Sequence, residues 1–170
     1  MGKQLLFCVE TSKQAKTDNI YISETLNRYY KIGSEIRIRY IYLNGKSNYN
    51  KSAVRKEIDS QATQYAKNGN THVVYCIDID RQDIDATHKK DLENIERYCA
   101  KNNYELVWFS RDIEDVYWGE QSRKDEKVKM AKQFRSSKHI ENVAEKNLRY
   151  STISRHKSNI LIVLDKVMKD

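Results

Sequence analysis

Residues 73–77 read Val-Val-Tyr-Cys-Ile and run into Asp78-Ile79-Asp80; residues 5–9 read Leu-Leu-Phe-Cys-Val and run into Glu10. Both are short unbroken apolar runs closed by an acid. A strand buried on both faces, as in a parallel sheet, has this form, whereas a strand with one wet face alternates. Residues 36–43, IRIRYIYL, do alternate at first, with Ile36, Ile38, Tyr40 and Tyr42 on one side, and this predicts a half-exposed strand at an edge. Residues 104–109, YELVWF, make a fourth strand.

Helical spacing fills the intervals. Ile22, Leu26, Tyr29 and Tyr30 mark a helix over 18–32 stopped by Gly33. Val54, Ile58, Ala62 and Tyr65 mark a second over 51–68, before Gly69, and Leu92, Ile95 and Cys99 a third over 86–102. The order βαβαβαβ predicts an α/β fold: a mostly parallel four-stranded sheet with helices on both faces. Beyond Phe109 the chain turns helical, with short turns over 112–118, basic helices over 122–135 and 138–147, and a closing helix over 159–168 capped by Ser158. With no repeat and no proline-rich linker, residues 1–170 read as one domain, a core over 1–119 and a basic helical extension over 120–170.

Charge is distributed unevenly. Residues 78–120 carry twelve Asp/Glu against six Lys/Arg, and residues 123–157 carry eleven Lys/Arg against four Asp/Glu. An acidic middle beside a basic end suits a cation site next to a polyanion site. No apolar run reaches the roughly 20 residues of a membrane span. The first eleven residues meet a Glu too early for a secretion signal. Cys8, Cys76 and Cys99 form no CxxC pair and suit buried thiols of a reducing cytoplasm. The five glycines form neither a P-loop nor a dinucleotide fingerprint, and the four histidines have no zinc spacing.

In open parallel sheets, ligands gather at the carboxyl ends of the strands. Glu10, Asp78 and Asp80 fall there, and side chains two apart on a strand project to the same side. Grouped carboxylates repel unless a cation intervenes, and oxygen ligands in this number suit Mg²⁺ or Mn²⁺. The stretch 110–118, SRDIEDVYW, follows the fourth strand at the same edge, so Glu114 is a further candidate.

These motifs resemble the Toprim fold, and are similar to Toprim nucleases of the OLD and RloB type. The resemblance rests on Val9-Glu10, on Lys16-Thr17-Asp18-Asn19-Ile20-Tyr21, on Asp78-Ile79-Asp80, on Ser110, Glu114 and Trp118, and on Lys157-Ser158-Asn159. It implies a Mg²⁺- or Mn²⁺-dependent endonuclease with Glu10, Asp78, Asp80 and Glu114 as metal ligands and Lys157 against the scissile phosphate. Arg123, Lys124, Lys127, Lys132, Arg135 and Lys138 are then expected to hold the backbone of DNA or RNA. The resemblance also implies a bacterial or phage defence component, RloB-like, working beside an ATPase partner. Thr11 stands where a glycine usually follows the first Glu, and no glycine closely follows Asp80. Those departures support the alternative, a non-catalytic nucleic-acid-binding or protein-interaction module on a degenerate Toprim fold. A phospho-receiver domain ranks last, because it needs a second acid after Glu10 and the chain has Thr11.

Overall fold

The computed structural model describes residues 1–79 and 86–169. Strands β1 (Gly2–Val9), β2 (Ile36–Tyr42), β3 (Gly69–Ile79) and β4 (Glu105–Ser110) form one sheet in the order β2-β1-β3-β4. Every pairing between these strands is parallel. The unbroken apolar runs have a direct explanation. Leu5, Phe7 and Val9 face one hydrophobic core and Leu6 and Cys8 the other, with all five fully buried. Val74 and Cys76 divide from Val73, Tyr75 and Ile77 in the same way. Each such apolar side chain contributes roughly 1.5–3 kcal/mol by leaving water. The alternating strand β2 pairs on one side only and forms an edge of the sheet.

Helices α1 (Thr17–Tyr29), α2 (Ser52–Tyr65) and α3 (Ala86–Asn102) join successive strands, and α4 (Ile113–Trp118), α5 (Lys127–Ser136) and α6 (Ile160–Lys169) follow β4. Residues of α1, α4, α5 and α6 fill the core on one face, and residues of α2 and α3 fill the other. The fold is therefore α/β with an all-parallel sheet flanked by helices, in the Rossmann-like class. The stretch read as an extension joins the first core through Ala131, Phe134, Ile140, Leu148 and the apolar side of α6. No helix among the described residues is long and apolar enough to cross a membrane.

Several element boundaries differ from the sequence reading. Helix α1 stops at Tyr29, not at residue 32, and Tyr30 is extended. The Tyr30 phenol donates to Asp165 of α6 at 2.7 Å, so tertiary contact takes a residue that the periodicity gave to the helix. Helix α2 stops at Tyr65, not at residue 68, and Gly69 opens β3, where a Cβ would overlap the Gly2 carbonyl on the neighbouring strand. The basic helix expected from residue 122 begins only at Lys127. The helix expected over 138–147 is two 3₁₀ turns, His139–Asn142 and Glu145–Leu148. Lys138 takes left-handed backbone (φ 53°), which ends the α-helical run, and Ile140 and Leu148 pin the turns to the core. Helix α6 is close to its expected span; the Ser158 hydroxyl accepts from the Ile160 N–H at 3.1 Å and donates to the Trp108 carbonyl at 2.6 Å.

Candidate active site at the carboxyl edge of the sheet

Strand β1 connects outward to β2 and β3 connects outward to β4, so the strand order reverses between β1 and β3. Such a switch point leaves a crevice outside the carboxyl ends of its two strands. A cleft of about 330 Å³ opens there, lined by Glu10 and Thr11 after β1, by Asp18 of α1, by Asp78 of β3, and by Lys124 and Lys127. Gly45, also on its wall, has φ 110°, a backbone that a side chain would strain.

The loop after β1 is tied to the start of α1. The Thr11 N–H donates to Asp18 Oδ2 at 3.3 Å, and the Thr11 and Thr17 hydroxyls are 3.2 Å apart. This brings Asp18 to the same cleft as Glu10 and Asp78. Sequence reading placed Asp18 only within the Lys-Thr-acid stretch and not among the site residues. The signal that finds it is its place in the first turn of the helix that leaves the Glu10 loop.

The electrostatics of the cleft are those of crowded acids. Burial, then Glu10, Asp18 and Glu114, push the Asp78 carboxyl well above its ordinary range. Burial raises Asp18 to about 6, although N–H donors and Lys127 oppose the shift. Glu114 is fully buried, and that burial raises it to about 7 against the pull of Lys127. The Lys127 ammonium lies 3.5 Å from Glu114 Oε2. Burial lowers the Lys127 pKa, but Glu114, Asp78, Asp112 and Asp18 outweigh it and hold the group above its usual value. Lys127 is thus a cation paired within the acidic cleft as well as part of the basic stretch.

Of the other described candidates, only Lys124 shares the cleft. Asp80 lies outside the described residues. Lys157 has its carbonyl at the end of β4, accepting from the Ser110 N–H at 3.1 Å, but its ammonium donates to Asn147 Oδ1 and sits 4.9 Å over the Tyr150 ring. Lys124 lines the cleft, while Arg123, Lys132 and Lys138 are exposed. Arg135 is tied back to α1, through Nε to Glu24 at 3.1 Å and Nη2 to Ser23 at 2.9 Å. Asp112 caps α4, accepting from the Asp115 N–H at 2.7 Å. Sequence reading also missed the pairing of buried Asp115 with His156, whose Nδ1 lies 3.0 Å from the Asp115 carboxylate.

The donor chemistry of the cleft fits a hard divalent cation, since Glu10, Asp18 and Asp78 offer only oxygen and repel one another without one. Among the described residues, no group of three His, Cys, Asp or Glu stands close enough to hold a metal as placed. Compared with models of known protein families, with curated proteins and with solved structures, the chain matches none.

Proposed function

We propose that the chain is a Mg²⁺- or Mn²⁺-dependent nuclease of Toprim type that hydrolyses phosphodiester bonds in nucleic acid. The observation that carries the reading is the switch-point cleft, where Glu10, Asp18 and Asp78 face Lys124 and Lys127. A site for a divalent ion and a phosphate needs acids and bases in that juxtaposition. Glu10, Asp18 and Asp78, with Asp80, would hold the metal. When bound, the ion supplies a Lewis acid for the phosphoryl oxygens and lowers the pKa of water.

This chain's own residues do the rest. Lys127 leaves Glu114 for the scissile phosphate and neutralises the charge that grows on it, and Glu114 is freed to join the other acids. Lys124 holds an adjacent phosphate at the rim. Water attacks phosphorus and gives up a proton, the bond to the leaving oxygen breaks, and that oxygen takes up the proton the water releases. Exposed Arg123, Lys132 and Lys138 add backbone contacts that do not read sequence. An ATPase partner and a role in bacterial or phage defence follow from the Toprim resemblance alone.

The Lys127–Glu114 contact favours one other reading, a non-catalytic nucleic-acid-binding module in which the lysine permanently replaces the metal. Cleavage assays separate the two. The purified chain is incubated with single-stranded and duplex DNA and RNA in millimolar Mg²⁺ or Mn²⁺. The nuclease reading expects cleavage that EDTA and Asp78→Asn abolish. Failure to cut any of these substrates, together with no Mn²⁺ uptake in a titration, leaves the binding module.

A further inference from the structure

We infer that a second groove beside the acidic cleft is a subsite for one nucleotide of a single strand; the inference rests on the nuclease reading for the identity of that strand. The groove measures about 410 Å³ and runs along one stripe of α1, with Lys16, Asn19 and Ser23 on its wall, Tyr40 of β2 beneath, and Arg135 of α5 at its rim. Ala15 lines both this groove and the cleft, so the two abut. A strand with its reacting phosphate in the cleft reaches the groove with its next residues.

Two residues that line the groove each carry a buried polar atom with unmet bonding capacity. The Asn19 amide donates from Nδ2 to the Tyr42 hydroxyl at 2.7 Å, and Oδ1 is buried with no hydrogen-bond partner. Turning the amide over changes which atom is left, not that one is left. The Tyr40 hydroxyl is likewise buried with no hydrogen-bond partner. Tyr40 itself is well anchored, its ring stacked on Phe7 at 5.7 Å. A buried donor or acceptor without a partner costs about 1–3 kcal/mol, so a pair of them at one groove calls for a ligand that completes both.

The chemistry of that ligand is read from the four groups together. An amide oxygen needs an N–H, and a phenol can give its proton to a carbonyl or ring nitrogen. A nucleobase edge offers both kinds of partner side by side. Lys16 and Arg135 stand at the same groove and suit the attached phosphate. Base edges are free only in unpaired strands, and recognition of unpaired bases by such edges is the usual mode for single-stranded nucleic acid. Because both atoms are buried, binding of the base must shift the side chains around them to reach them.

Tyr40→Phe and Lys16→Gln test the subsite. Tyr40→Phe removes only an oxygen without a partner, so the fold is expected to melt at the same temperature or higher. Binding of labelled single-stranded DNA and RNA oligonucleotides is followed by fluorescence anisotropy in EDTA, where no cleavage occurs. Tyr40→Phe is expected to weaken binding roughly 3–10-fold, the size of one hydrogen bond. An abasic site at one position of the oligonucleotide weakens wild type by about as much and leaves Tyr40→Phe unaffected. Lys16→Gln lowers the slope of log affinity against log salt by about 0.7. Wild-type affinity in both variants, an abasic penalty that persists in Tyr40→Phe, or no binding of any single strand by wild type overturns the subsite. Cleavage by wild type in Mn²⁺ is scored separately. Cleavage with unaltered variant binding removes the subsite and keeps the nuclease. Weakened variant binding without any cleavage keeps the subsite and removes the nuclease.

Discussion

Lys127 Nζ lies 3.5 Å from Glu114 Oε2, and the two come from helices on either side of a connection whose charge alone gives no hint of the contact. The carboxylate is buried and the lysine side chain is one third exposed. A basic residue at the start of α5 is thereby set among acids and not on the exposed basic surface.

Lys127→Gln therefore destabilises the fold. Removing one partner leaves the buried Glu114 to stay charged without a counterion or to take up a proton, and after allowance for solvent at the lysine the cost is about 1–2 kcal/mol. Thermal unfolding at neutral pH in EDTA measures it. The double variant Lys127→Gln, Glu114→Gln should recover much of the loss. A double variant no more stable than Lys127→Gln alone would sink the pairing.

Stability should fall as pH rises from about 4 to 7. Asp18 and Glu114 are raised to about 6 and about 7, and Asp78 is raised as well. The folded state keeps protons on these groups that the unfolded chain has already released, so the unfolded state gains relative stability across that window, and Asp78 prolongs the fall for as long as it stays protonated. At about 1.4 kcal/mol per pKa unit the change should amount to several kcal/mol. Melting temperatures at pH 5, 6, 7 and 8 in EDTA test this, and a rise between pH 5 and 7 contradicts it.

Divalent metal should reverse that loss. An ion that binds the ionised acids in the folded state alone stabilises by about 2.7 kcal/mol at one hundred times its dissociation constant. Mn²⁺ is expected to raise the melting temperature more at pH 8 than at pH 5. Glu10→Gln and Asp78→Asn should lose the shift. An equal shift from a monovalent salt of matched ionic strength would assign the effect to screening instead.

The exposed bases should divide from the tethered ones. Changing Arg123, Lys124, Lys132 and Lys138 together to Gln removes up to four phosphate contacts. The salt slope of DNA binding should then flatten by roughly 3. Arg135→Gln loses its links to Glu24 and Ser23, surface contacts contributing about 0–1 kcal/mol to stability, and with them one cation of the groove beside Tyr40, so its own effect on the slope should be at most that of about one contact. A quadruple variant with an unchanged slope would mark the basic stretch as a surface for an acidic protein.

The parallel sheet was legible because strands buried on both faces need unbroken apolar runs, and LLFCV and VVYCI have no other comfortable environment. The acids closing those runs were legible for the same reason, since the end of such a strand is the first place a charge reaches solvent. Glu10 and Asp78 were therefore found from order along the chain alone. What folding decided lies between elements far apart in sequence. Asp18 joins the cleft through the Thr11 N–H, and Lys127 comes to rest against Glu114. Lys157 turns its ammonium to Asn147 and Tyr150, and Asp115 meets His156. A lysine in a basic run has the same local sequence whether it faces phosphate or carboxylate. Only the packing of α5 through Ala131 and Phe134 onto the core fixes which of its sides looks into the cleft. Local pattern determines which side chains must leave water; the long-range register of the buried faces determines which charges must then meet.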